Sequence, residues 1–185
     1  MLAPLRTPGI RPRPTLRRRL DAASRQLFPA ACTALLLLLA AAPLDVPGQA
    51  QAQPAVALAC VFFWSLNRPA SMTPPAVFLL GLLADLLGLT PPGVSVLILL
   101  AAHGLAVGCW RRGLAGQGFL AAWLVFAAVA AGAAALEWAM VGLLSVRLLP
   151  VRDALLQFGL TTGLYPALAA LFGQAQRGLA DPDRA

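Results

Sequence analysis

The chain has no lysine, one histidine, one tyrosine and three cysteines among its 185 residues. Cys32, Cys60 and Cys109 stand far apart inside or beside apolar runs, so no histidine and cysteine spacing typical of a zinc site occurs. A phosphate-binding glycine loop and a nucleophile elbow are also missing. The sequence therefore predicts a protein that is not an enzyme and uses no metal or cofactor.

Charge is scarce, at 11% of residues, while 59% are hydrophobic. Soluble domains carry about 25% charged residues. Apolar stretches fill more than half of the chain and occupy residues 28–44, 54–66, 76–89, 94–110, 119–146 and 154–172. The pattern predicts an all-α integral membrane protein, built as a compact bundle of about six transmembrane helices.

The predicted domain organisation has three parts. Residues 1–25 form a basic cytoplasmic arm, which we expect to be disordered because it is rich in proline and arginine. Residues 26–173 form the polytopic transmembrane domain, and residues 174–185 form a cytoplasmic tail. A basic arm directly before an apolar helix favours contact with membrane lipid over nucleic acid.

The arginines predict the orientation. Seven of the 14 precede the first apolar run, and with six spans the arm, Arg68, Arg111, Arg112 and the tail share one side with twelve arginines. Only Arg147 and Arg152 lie on the other side. Because positive residues concentrate inside, both termini are predicted to be cytoplasmic.

Two runs leave alternatives open. The run 28–44 follows an arginine-rich start and precedes Ala50-Gln51-Ala52, so a cleaved signal peptide is the alternative to a first span. The run 54–66 is short for a full span. Farther on, Pro74 and Pro75 suit a helix start, and the turn 90–93 predicts a helical hairpin.

Three ionisable side chains fall inside predicted spans: Asp85, His103 and Glu137. Such groups are costly in lipid and are functional candidates, so they predict either a relay or ligand cluster or separate structural hydrogen bonds. We favour the structural interpretation, since the helix rotations are unknown. His103 across the hairpin, or a group on another subunit, is the expected partner of Asp85.

Two pairs of glycines have the spacing that allows transmembrane helices to approach closely: Gly104 with Gly108, and Gly159 with Gly163. Packing inside the bundle is the favoured interpretation. Contact with another protein is the alternative.

One stretch, residues 62–99, resembles the rod shape-determining protein MreD family. The resemblance rests on an aromatic-rich span ending near Arg-Pro, a helix of Phe-x-x-Gly-Leu-x-x-Asp type and a Pro-x-Gly turn. In this chain the three motifs are Phe63-Trp64-Ser65-Leu66-Asn67-Arg68-Pro69, Phe78-Leu79-Leu80-Gly81-Leu82-Leu83-Ala84-Asp85, and Pro92-Gly93-Val94 with Pro91 before them.

The resemblance implies a non-enzymatic inner-membrane component of the bacterial cell-elongation complex, which supports lateral peptidoglycan synthesis and rod cell shape. The implied partners are MreC and, through the complex, MreB, RodA and a class B penicillin-binding transpeptidase. The family is similar in architecture to the substrate-binding subunits of energy-coupling-factor transporters. The alternative function is therefore a substrate-binding membrane subunit of a vitamin or metal transporter. Arg68 and Pro69 are predicted to lie at a cytoplasmic junction that either anchors topology or contacts a partner.

Overall fold

The computed structural model describes residues 16–42, 49–88, 91–113, 116, 118–145 and 150–180. No strand occurs in these ranges. Their regular structure consists of six helices: α1 Leu16–Ala41, α2 Gln49–Asn67, α3 Pro74–Gly88, α4 Val94–Arg111, α5 Phe119–Ser145 and α6 Val151–Ala180.

Each apolar run of the sequence corresponds to one helix, which confirms the all-α prediction. The backbone N–H groups of a first helical turn have no partner within the helix, so proline, which lacks this group, is tolerated there. As its two prolines predict, α3 begins at Pro74. The predicted disordered arm, residues 1–25, requires a correction, because α1 already begins at Leu16. Its first part, residues 1–15, lies outside the described residues.

The central helix is α2, which contacts all five other helices. Every side chain from Ala57 to Leu66 is buried. Trp64, which ends the aromatic stretch, packs against Phe28, Phe63 and Phe172. The helix also continues through Gln49–Gln53, so a short apolar run was a poor guide to its length. The first turns of α2 are polar, and their side chains bind neighbouring helices: Gln49 donates to the Ala40 carbonyl of α1 and Gln53 to the Ala84 carbonyl of α3. The helix therefore does not depend on an apolar sequence there.

The outer surface of the bundle is apolar. Within the described ranges, three helices are long and apolar enough to cross a membrane: Val94–Arg111, Phe119–Leu144 and Val151–Gln174. Only 17% of the apolar stretch of α5 is buried, although that helix is apolar on every side. A helix that is hydrophobic all round but remains uncovered by protein is typical of contact with lipid.

The helices α3 and α4 pack together as an antiparallel hairpin. We call the end where α3 stops and α4 begins the hairpin end; α2 and α6 also begin there, and α5 ends there. We call the opposite end the Arg68 end, because Arg68 follows the last residue of α2. The predicted hairpin is thereby confirmed.

Candidate functional site

The two hairpin helices touch backbone to backbone at Gly81. A Cβ atom on Gly81 would lie 2.6 Å from the Val96 Cα, closer than real Cβ atoms come, and 3.0 Å from the Val96 nitrogen. Only glycine therefore permits this crossing without a shift of one helix. The residue is buried, so the contact lies inside the bundle.

One turn farther along α3, the carboxylate of Asp85 caps the beginning of α4. Its two oxygens accept hydrogen bonds from backbone N–H groups, Oδ2 from Gly93 at 2.7 Å and Oδ1 from Ser95 at 2.9 Å. The first N–H groups of a helix have no partner within it, and the helix dipole is positive at that end. Asp85 is 4% exposed, so its charge is stabilised by α4 and not by solvent.

Gly93 occupies the N-cap position of α4 with φ +100°. L-amino acids with a side chain are strained in this left-handed region. The glycine thus lets the chain turn so that its own N–H and that of Ser95 both face Asp85. Gly81, Asp85 and Gly93, which are separated in the sequence, lie together at one helix junction.

A third helix is tied to the same junction by Gln53 of α2. Its amide Nε2 donates to the Ala84 carbonyl at 3.2 Å, and Gln53 is buried. A Cβ on Gly88 would lie 3.5 Å from the Gln53 Oε1, an ordinary van der Waals contact, so this position does not require glycine. The hairpin end is therefore cross-linked by side-chain hydrogen bonds between α2, α3 and α4.

The expected pairing of Asp85 with His103 is wrong: the observed partners of Asp85 are backbone donors of α4. His103 instead has its Nδ1 2.8 Å from the Ser65 Oγ on α2. Both side chains are buried. Because His103 lies about two and a half turns along α4 from its first residue, it is placed too far toward the Arg68 end to meet the capping carboxylate.

Glu137 of α5 lies at the hairpin end, where its Oε2 accepts a 2.5 Å hydrogen bond from Gln157 Nε2 of α6. Asp85 and Glu137 are close enough to interact electrostatically. Two members of the predicted ionisable cluster are thus brought near each other, while His103 belongs to a separate contact. Among the residues described, no group of three metal-ligating side chains occurs.

The junction has a structural chemistry: a close backbone crossing at Gly81, a carboxylate cap from Asp85 and a left-handed turn at Gly93. No family model, curated protein or solved structure matches the chain. We therefore infer the role of the junction from its geometry. Such an arrangement fixes the position of one helix pair.

The expectation of internal packing at Gly104 and Gly108 is wrong. A Cβ on either glycine would meet no atom within 4 Å, and the same holds for Gly159 and Gly163. These positions lie on outward faces of α4 and α6, because the inward face of α4 is formed by other residues, among them Leu99, Ala102, His103 and Ala106. The second interpretation, contact with another protein, stays a prediction.

Several polar residues of the hairpin end escaped the sequence analysis, which considered ionisable groups alone. They are Gln53, Ser95, Gln157 and Thr161. All four stand within or beside apolar runs, so a search for uncharged polar residues inside the predicted spans would have found them. Such side chains also need partners in lipid.

Arg68 and Pro69 lie at the junction between α2 and α3. The carbonyl of Arg68 accepts hydrogen bonds from the Ser71 and Met72 N–H groups, at 3.0 and 3.2 Å. Asn67 Nδ2 donates to the Phe63 carbonyl, one turn earlier in α2, at 2.8 Å. The Arg68 side chain is half-buried. The backbone of Arg68 therefore shapes the turn, whereas its guanidinium is available for lipid or a partner.

Replacing Arg68 with Lys separates the two predicted roles of that guanidinium. Lysine keeps the anchoring charge but loses the planar fork that binds a carboxylate through two hydrogen bonds. We expect unchanged topology, and a drop in the recovery of any partner bound through the fork. Unchanged partner recovery in Arg68→Lys, measured by affinity purification at equal expression, would assign Arg68 to anchoring.

Proposed function

We propose that the protein is a non-enzymatic component of the bacterial cell-elongation complex in the inner membrane, where it supports lateral peptidoglycan synthesis and rod cell shape. In this proposal all six helices form the transmembrane bundle, with the architecture of an energy-coupling-factor substrate-binding subunit. MreC is the direct partner, and MreB, RodA and a class B penicillin-binding transpeptidase join through the complex.

One observation carries the proposal. The resemblance to the MreD family rests in part on Gly81, Asp85 and Gly93, and all three act in one hairpin. Gly81 allows the close helix crossing, Asp85 caps α4, and Gly93 forms the turn before α4. Because the residues that match the family motif are the ones that form the helix junction, we infer that the motif serves to hold α3 and α4 in one geometry. This is the requirement of a scaffold.

The alternative, a vitamin-binding or metal-binding transporter subunit, has less support. A vitamin requires a cavity of roughly 300 Å³ or more lined by a few polar groups, and a metal cargo would need a group of ligating side chains that the described residues do not form. The polar cavity between α2, α4, α5 and α6 has about 20 Å³ of room, which suits one water molecule. The larger clefts are open: the one between α4 and α5 is lined almost wholly by apolar side chains, and the one between α2, α5 and α6 has Asn67 and Tyr165 as its polar side chains.

The proposal places the Arg68 end in the cytoplasm. Arg68 follows α2, and Arg111 and Arg112 end α4 at that same end, as the positive-inside rule requires. Reporter fusions at Arg184 and near Gln51 are expected to give inside and outside signals. An outside signal at Arg184 would contradict the six-span arrangement, and the intact mass of the purified chain shows whether the first run is cleaved.

Affinity purification of the tagged full chain from native membranes tests the function. We expect MreC to co-purify in a gentle detergent. The matched control is a tagged membrane protein of similar size from the same cells, which should recover no MreC. Recovery of an ATPase module and a retained small molecule in place of MreC would favour the transporter subunit.

A further inference from the structure

A small polar cavity lies at the hairpin end, between four helices. Its lining combines apolar side chains of α2, α4 and α5 with four oxygen-bearing side chains: Ser95, Glu137, Gln157 and Thr161. With about 20 Å³ of room, the cavity holds one water-sized ligand. The oxygens available to such a ligand are a carboxylate, an amide carbonyl and two hydroxyls, which are hard donors.

The charge at this cavity is uncompensated within the described side chains. Glu137 has a neutral hydrogen-bond partner, Gln157, and a second carboxylate, Asp85, interacts with it electrostatically. No arginine in the part of the chain with described side chains forms an ion pair with Glu137. A carboxylate among apolar helices is normally neutralised by a proton, a counter-charge or a bound cation.

We propose that this cavity, formed by Ser95, Glu137, Gln157 and Thr161, binds a monovalent cation of the size of Na⁺. The single direct carboxylate balances one positive charge. Ca²⁺ takes 6 to 8 oxygen ligands, and Mg²⁺ keeps several of its waters, so neither suits a cavity with room for one small ligand. The positive end of α4, which would oppose a cation, is already capped by Asp85.

The site is connected to the hairpin through Ser95. Its backbone N–H donates to Asp85 Oδ1, while the residue also lines the cavity. A cation bound to Glu137 therefore holds α5 and α6 against the beginning of α4. The expected consequence is that Na⁺ stabilises the folded bundle, because a ligand that binds only the folded state raises its stability.

The test uses the purified full chain in detergent, melted in NaCl or in choline chloride at equal ionic strength and pH. We expect Na⁺ to raise the melting temperature along a saturating curve, by roughly 5 °C at about 100 times its Kd. Binding of ²²Na⁺ should saturate at about one ion per chain. Melting curves that coincide in the two salts at every concentration would overturn the proposal, as would melting that depends on pH and not on Na⁺.

Two variants and a control locate the effect. Glu137→Gln removes the charge at nearly constant shape and is expected to abolish both the Na⁺-dependent shift and ²²Na⁺ binding. Should that variant fail to fold, Ser95→Ala removes one ligand while keeping the backbone cap, and is expected to weaken Na⁺ binding about 10-fold, as loss of one ligand contact does. Asp153→Asn, an equal charge change at an exposed position of the first turn of α6, should bind Na⁺ as the wild type does. Equal loss in Asp153→Asn, or full binding by both cavity variants, would contradict the assigned site.

Discussion

Replacing Gly81 with Ala is expected to lower the melting temperature of the purified chain by roughly 10 °C, which corresponds to about 3 kcal/mol of lost stability. The added methyl would meet Val96 backbone atoms at 2.6 and 3.0 Å. Backbone atoms in the middle of a helix have no rotamer to change, so α3 and α4 must separate. Separation also lengthens the hydrogen bonds from Gly93 and Ser95 to Asp85, one turn away.

Gly104→Ala provides the matched control for Gly81→Ala. It is the same change in the partner helix of the hairpin, at a position where a Cβ meets nothing within 4 Å. Alanine favours the helix over glycine by up to about 1 kcal/mol, so this variant should melt at or slightly above the wild-type temperature. If both variants melt alike, the close crossing at Gly81 is not what holds the hairpin together.

The positions of the helices were predictable because the lipid-facing and core-facing parts of this chain are both apolar. The helix starts at Pro74 and Val94 followed from proline and glycine chemistry. The second run misled for a physical reason. Hydropathy measures preference for lipid, whereas α2 is surrounded by protein and buries Gln53 against the Ala84 carbonyl.

The partners of the polar residues were not predictable, because helix rotation decides them. A carboxylate inside a span predicts that a donor is near it, but not that the donor is the backbone of the next helix, as it is for Asp85. Rotation also separates Gly81, which touches α4, from Gly104, which faces outward. The sequence shows the spacing, and the surrounding helices determine its use.

Asp85→Ala is expected to have the largest effect on the hairpin, a loss of about 4 kcal/mol of stability. Two hydrogen bonds to a charged acceptor contribute about 1.5 to 3 kcal/mol each, and the substitution removes the acceptor of the Gly93 and Ser95 N–H groups. Membrane insertion should be unaffected, because the substitution makes α3 more apolar. Asp153→Ala, at an exposed position in the first turn of α6, should lose no more than about 1 kcal/mol, the usual contribution of an exposed carboxylate near a helix N-terminus.

Asp85→Asn distinguishes the charge from the shape of the cap. Asparagine has one carbonyl oxygen that accepts from Gly93 or Ser95, but its NH₂ group would face the other backbone N–H and repel it. We therefore expect a loss between those of the wild type and Asp85→Ala, near half of the alanine effect, together with a weaker interaction with the positive end of α4. If the hairpin is the part of the scaffold on which assembly depends, recovery of MreC should fall in the same order, from wild type to asparagine to alanine, at equal amounts of inserted protein. Wild-type melting in both variants would show that Asp85 does not hold α4. Reduced melting with undiminished MreC would instead confine the residue to folding and separate the hairpin from the proposed function.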